Sequence, residues 1–101
     1  MREKDFSTKV LKLLRAEFPG HWRKNPVSAY GQSGVGDIIG CLEGRYVEIE
    51  LKAPGRYKDP FIGLSEIQRL HGAEIIGNGG IWMCADSWPE IKGELLAQIK
   101  D

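Results

Sequence analysis

From Val47 to Lys52 the chain alternates apolar and charged residues one for one, VEIELK, and a second strand-like run, DIIGCL, ends at Glu43-Gly44 just before it. A period of two puts Val47, Ile49 and Leu51 on one face of a strand and Glu48, Glu50 and Lys52 on the other. The tight turn at 43–44 predicts an antiparallel hairpin of strands over about 36–42 and 45–52. Such a hairpin needs cover for its apolar face, so the rest of the chain has to supply helices that lie against it. The other face carries carboxylates and a lysine, either as a solvated surface with cross-strand ion pairs or as a site.

Helices are predicted on both sides of the hairpin. Phe6, Val10, Leu13, Leu14 and Phe18 recur at three- and four-residue spacing, which predicts an amphipathic helix over about 2–18 that ends at Pro19-Gly20. HWRKNPVSAY reads as a first strand weakened by Pro26 and suited to a sheet edge. After a proline- and glycine-bearing loop, APGRYKDPFIG, a second helix starts at Ser65 with the capping pattern SEIQ and stops at GNGG. IWMCA reads as a short strand covered on both faces, and SWPE opens a last helix with Ser87 as its cap. The order is helix, three strands, helix, strand, helix: an α/β layer architecture.

Composition narrows the class. A chain of 101 residues fits one core, and 42% hydrophobic with 28% charged residues is an ordinary globular balance. No apolar run approaches the roughly 20 residues of a membrane span, and the charged N-terminus has no secretory leader pattern. Cys41 and Cys84 stand singly in apolar segments, which predicts buried free thiols in a reducing cytoplasm. The formal net charge is zero, which excludes binding of nucleic acid by bulk charge but not by a local basic surface.

Pairing through the turn brings Asp37, at the open end of the hairpin, near Glu50 and Lys52. Asp37 and Glu50 are hard oxygen ligands suited to Mg²⁺ or Mn²⁺, and the main-chain carbonyl of Leu51 lies between the motif residues as a further ligand. Lys52 is placed to steer or activate an attacking water and to offset charge on a phosphorane-like transition state. Gly34 and Gly36 leave room for a large substrate.

Asp37 followed after twelve residues by Glu50-Leu51-Lys52 resembles the signature of the PD-(D/E)xK nuclease superfamily. GVGDIIG, VEIELKAPG and LSEIQRLHGAEIIGNGG together resemble the VRR-NUC (virus-type replication-repair nuclease) family. The resemblance covers essentially the whole chain. It implies a stand-alone nuclease domain over 1–101 with a restriction-endonuclease-like αβββαβ core, a C-terminal helix and a mixed central sheet flanked by helices. It also implies a metal-dependent DNA endonuclease acting on branched or four-way-junction DNA, expected in the cytoplasm of a bacterial or phage-infected cell. A small domain that cuts a two-fold symmetric junction would do so most simply as a homodimer. The rival from another class is a non-catalytic DNA-binding subunit that keeps the fold. Gly36 replaces the superfamily's proline before the aspartate, which bears on the turn's rigidity rather than on the ligands.

Supporting residues follow from the same resemblance. Glu3 falls within the apolar arc of the first helix, where a carboxylate is costly without a partner, and related nucleases carry a glutamate on this helix that reaches the metal site. Gln68 completes the Ser65 capping box, yet the family's matching glutamine faces the active site. Glu48 reads as a surface pair with Arg45 or Lys92, and His21 and His71 as ordinary surface or loop residues. Trp22, Arg23, Lys24 and Tyr30, with Arg56, Tyr57 and Lys58, form two basic-aromatic segments that flank the site. They are candidates for holding phosphates and stacking on unpaired bases of DNA.

Overall fold

The computed structural model describes residues 3–25, 37–52 and 66–99. Helix α1 (Glu3–Glu17) leads into strand β1 (His21–Lys24), followed by β2 (Ile38–Leu42) and β3 (Arg45–Leu51). Helix α2 (Glu66–Gly77), strand β4 (Ile81–Ala85) and helix α3 (Trp88–Ile99) complete it. The sheet runs β1-β2-β3-β4, antiparallel across the first three strands and parallel between β3 and β4. It is the expected mixed sheet flanked by helices.

Local chemistry accounts for the boundaries. Glu43 and Gly44 both have positive φ, 50° and 80°, the paired left-handed turn whose twist matches the strands it joins. At the end of α2 the Gly80 amide donates to Ile75 O and the Gly79 amide to Ile76 O, with Gly79 at φ 88°. Those two bonds form a Schellman cap, and its left-handed position falls on a glycine. The Glu90 amide donates to Ser87 Oγ at the start of α3, as the capping pattern predicts, while the Glu90 carboxylate accepts from Asp86 rather than from Ser87. Ser65, residues 26–30, which are the remainder of the first predicted strand, and the glycine-rich 31–36 lie outside the described residues.

Phe6, Val10 and Leu14 of α1, Ile91 and Leu95 of α3, and the inward row Val47, Ile49, Leu51, Ile81, Met83 and Ala85 form one buried cluster. Trp22 belongs to it, with its indole N–H donating to Phe18 O. This corrects the placement of Trp22 among base-stacking residues, because its ring fills the core under α1. The cysteines are also corrected: Cys41 is exposed and Cys84 half-buried, since both sit on the sheet face turned away from that cluster. No helix among the described residues is long and apolar enough to cross a membrane.

Helix α2 packs on the opposite face. Gly72 lies so close to Trp82 that an added Cβ would fall 2.5 Å from the indole ring, which is why the helix can carry a glycine at its centre. Both sheet faces are therefore covered at β4, and the carboxylate face of β3 is partly roofed by α2.

Candidate active site

The backbone bends at Asp37. Its amide donates to Ile49 O on the β3 side, while its carbonyl accepts from the Asn25 amide on the β1 side, each at 2.9 Å. A residue in a regular strand presents both groups to the same neighbour, so the ladder breaks here in the manner of a bulge, which re-aims a side chain. The re-aimed carboxylate accepts from the Leu51 amide through Oδ2 at 2.7 Å. Asp37 is thereby fixed to the motif strand rather than left on a loose turn.

Glu50 lies next on β3, 8% exposed, and Lys52 Nζ stands 3.8 Å from its Oε2. The Lys52 amide donates to Ala85 O, towards β4. The Leu51 amide points the other way, to Asp37, and in extended backbone the carbonyl of a residue points with its amide. The Leu51 carbonyl is accordingly directed towards the Asp37 side. Asp37, Glu50, Lys52 and that carbonyl thus gather at one end of the β2-β3 pair.

The donor chemistry fits a hard cation. Among the described residues no group of three or more His, Cys, Asp and Glu side chains converges, so no closed all-protein cage of the structural-zinc kind is present. Two carboxylates and a backbone carbonyl instead suit an ion that keeps several of its waters, as Mg²⁺ does.

The row positions of α2 locate Gln68. Ile75 lies against Gly80, His71 reaches Glu48, and Gly72 sits on Trp82, which pairs with Glu48 in the sheet. The helix therefore runs antiparallel to β3, and three to four residues of helix cover about 5 Å against about 6.6 Å for two strand residues. Gln68, one turn before His71 on the same helix face, lies towards the Glu50 end of β3 and is half-buried. Glu3 opens α1; its side chain lies outside the described residues. Thr8 accepts from Lys24 Nζ at 2.6 Å, which orients α1 so that its first turn lies at the Asp37 end of the sheet.

The proposed nucleic-acid residues divide. Arg23 and Lys24 are both exposed, yet adjacent strand positions face opposite ways, and Lys24 is turned to Thr8 on the α1 side. Arg23 shares its face with Ile39 and Glu48 and acts electrostatically on Tyr46. Tyr30, Arg56, Tyr57 and Lys58 lie outside the described residues.

Glu48 departs most from expectation. It is 2% exposed, not a surface residue, and its carboxylate accepts from the Tyr46 hydroxyl and lies 2.8 Å from His71 Nε2. Arg45 is committed to Gly79 O and Gln98 O, and Lys92 to Glu17 at 2.7 Å, so neither is the partner that sequence spacing suggested. His71 is likewise no bystander, since it faces the sheet from α2. Burial, then the hydrogen bond to Glu48 and its charge, push the Tyr46 phenol well above its ordinary value, with Arg23 pulling the other way. The available signal was the helical spacing of Gln68, His71, Gly72 and Ile75, which puts all four on one face of α2.

The backbone superimposes on a solved structure described as a "VRR_NUC domain protein" with a TM-score of 0.69, covering 99% of this chain and 89% of that one at 17% sequence identity. The chain has a VRR-NUC-like fold, as the sequence resemblance implies. No protein-family model and no curated protein matches the sequence.

Proposed function

We propose that this chain is a metal-dependent endodeoxyribonuclease that hydrolyses phosphodiester bonds, selective for branched or four-way-junction DNA. The observation that carries the reading is the Asp37–Leu51 hydrogen bond beside the Glu50–Lys52 pair, on a nuclease-type fold. Asp37 and Glu50 would hold Mg²⁺ or Mn²⁺ with the Leu51 carbonyl, and Glu3 would add its carboxylate from the first turn of α1. The bound ion would supply Lewis-acid polarisation of the scissile phosphate and a bound water of lowered pKa.

The chain's own groups do the rest. Lys52 orients the attacking water and offsets the charge that builds on the phosphate oxygens. Glu50, in contact with Lys52, keeps that ammonium at the site until substrate arrives. Gln68 donates its amide to the nucleophile or to a phosphate oxygen. Arg23, Tyr30, Arg56, Tyr57 and Lys58 would carry the flanking nucleotides, whereas Lys24 is turned to Thr8 on the α1 side.

Cleavage of labelled four-way-junction, flap, duplex and single-stranded DNA with Mg²⁺, Mn²⁺ or EDTA tests the proposal. Metal-dependent cutting is expected, with Lys52→Ala and Asp37→Asn each slowing it by on the order of 10²-fold or more. Metal-independent cutting, or junction binding without cutting of any substrate, overturns the nuclease assignment. We further propose a homodimer, the simplest way to cut a two-fold symmetric junction, with Ile67 and Leu70, neighbours on α2, as exposed apolar surface for a second copy. Sedimentation showing a monomer with and without junction DNA overturns it.

A further inference from the structure

Helix α2 packs closely along β4, where Gly72 meets Trp82 and Ile75 meets Gly80. On its other flank, towards β3, a hollow of about 210 Å³ opens between Tyr46, His71, Ile75 and Gly80. Side-chain packing therefore holds α2 along β4 and leaves its β3 flank open. A polar tether spans that flank: Glu48, 3% exposed at its side chain, accepts from the Tyr46 hydroxyl through Oε1 and meets His71 Nε2 through Oε2 at 2.8 Å. The buried carboxylate is thus held on its own strand by one partner and joined to the helix by the other. A buried charge tolerates little displacement of the groups that solvate it, so the contact is stiff.

We infer that Tyr46, Glu48 and His71 form a clamp that sets the seat of α2 over β3, and that His71 is a positioning residue holding Gln68 towards the Glu50 end of β3. The inference rests on the nuclease reading for its catalytic consequence, and on geometry alone for the clamp. Gln68 lies one helical turn from His71 on the same face of α2, so a tilt at His71 moves Gln68 relative to Glu50 and Lys52. Misplacement by about 1 Å of a group that orients reactants costs on the order of 10²-fold in rate. Neither Glu48 nor His71 touches the reacting atoms in this scheme; both act through Gln68.

The test is single-turnover cleavage of the preferred DNA by wild type, His71→Ala, His71→Gln, Gln68→Ala and the His71→Ala/Gln68→Ala pair, with hydrogen exchange of α2 measured on each. His71→Ala should slow cleavage by roughly 10- to 100-fold while changing the dissociation constant for DNA less than about threefold. His71→Gln, whose amide nitrogen can replace Nε2 against Glu48, should recover most of the rate. In the Gln68→Ala background, loss of His71 should cost less than about twofold more, because the two act as one unit. Exchange should rise over 66–77 in His71→Ala while β2 and β3 stay protected, which also shows that the variant is folded.

Cleavage by His71→Ala at the wild-type rate overturns the positioning role. Losses that multiply in the pair overturn it too, since they mean that His71 acts on its own. Unchanged exchange over α2 in His71→Ala overturns the clamp. A wild type that cuts nothing is instead a failure of the nuclease reading, because the clamp is still read by exchange.

Discussion

Glu48 sits two positions from Glu50 on the same strand face, with the same side-chain type, yet the two meet different surroundings. Glu48 lies under α2 with Tyr46 and His71 as partners, whereas Glu50 lies at the open end beside Lys52. Alternation along VEIELK places both on the non-core face but carries no information on which part of that face a helix later roofs. The fate of Glu48 depends on residues about 23 positions away, and only their helical spacing hints at it. Removing His71 leaves a buried carboxylate with one partner fewer, so His71→Ala should cost about 1–3 kcal/mol in urea-unfolding free energy. A loss below a few tenths of a kcal/mol would mean that water takes the imidazole's place without cost. Tyr46 adds a pH signature. Its phenol titrates higher in the folded state than its ordinary 10.0, so between that value and the folded value the unfolded chain loses its proton first and stability falls as pH rises. The contribution is fully present below pH 10.0. Tyr46→Phe should be less stable than wild type near neutrality and should lose less stability above that pH. The gap between the two unfolding free energies therefore narrows with rising pH, and a constant gap would count against the Tyr46–Glu48 bond.

Elements were the most legible level, because each carries its own start and stop. The positive-φ pair at 43–44, the capping pattern of α3 and the glycines after α2 act locally, and the structure uses them where the sequence puts them. Contacts between elements were less legible. Nothing adjacent to Gly72 marks it as a packing glycine; it is the approach of Trp82, from a strand in the next element, that makes its missing side chain necessary. Trp22 is hidden for the same reason, since basic neighbours on either side conceal an inward-facing strand position. Gly72→Ala separates local from tertiary effects. Helix propensity favours alanine by up to about 1 kcal/mol. Overpacking a Cβ at 2.5 Å from the indole opposes it with about 1–3 kcal/mol. A net loss of stability is expected, with a melting temperature lower by several degrees and increased exchange over α2. If Gly72→Ala is instead more stable than wild type, α2 has room to shift, and the close approach to Trp82 does not determine its seat.

At the scale of the molecule, the buried cluster under α1 and α3 anchors one face of the sheet, and Asp37 and Glu50 gather at one end of the β2-β3 pair. Asp37, bonded to the Leu51 amide, and Glu50, beside Lys52, are neighbours there, and a divalent cation held by them would offset their like charge. A ligand that binds only the folded state stabilises it by RT ln(1 + [L]/Kd), or about 1.4 kcal/mol at ten times Kd. For a domain of this size that corresponds to a rise in melting temperature of roughly 5–10 °C. Asp37→Asn is the informative variant, because the asparagine carbonyl can still accept from the Leu51 amide while the charge is gone. Melting should rise with Mg²⁺ or Mn²⁺ in wild type, return to its starting value with EDTA, and stay nearly unmoved in Asp37→Asn. The variant without metal should melt at or above the wild type without metal, since it has shed one of two neighbouring like charges but kept the hydrogen bond. An equal rise in both proteins would place the ion elsewhere on the surface, and no rise in either would leave the acidic end as a paired face that holds no metal.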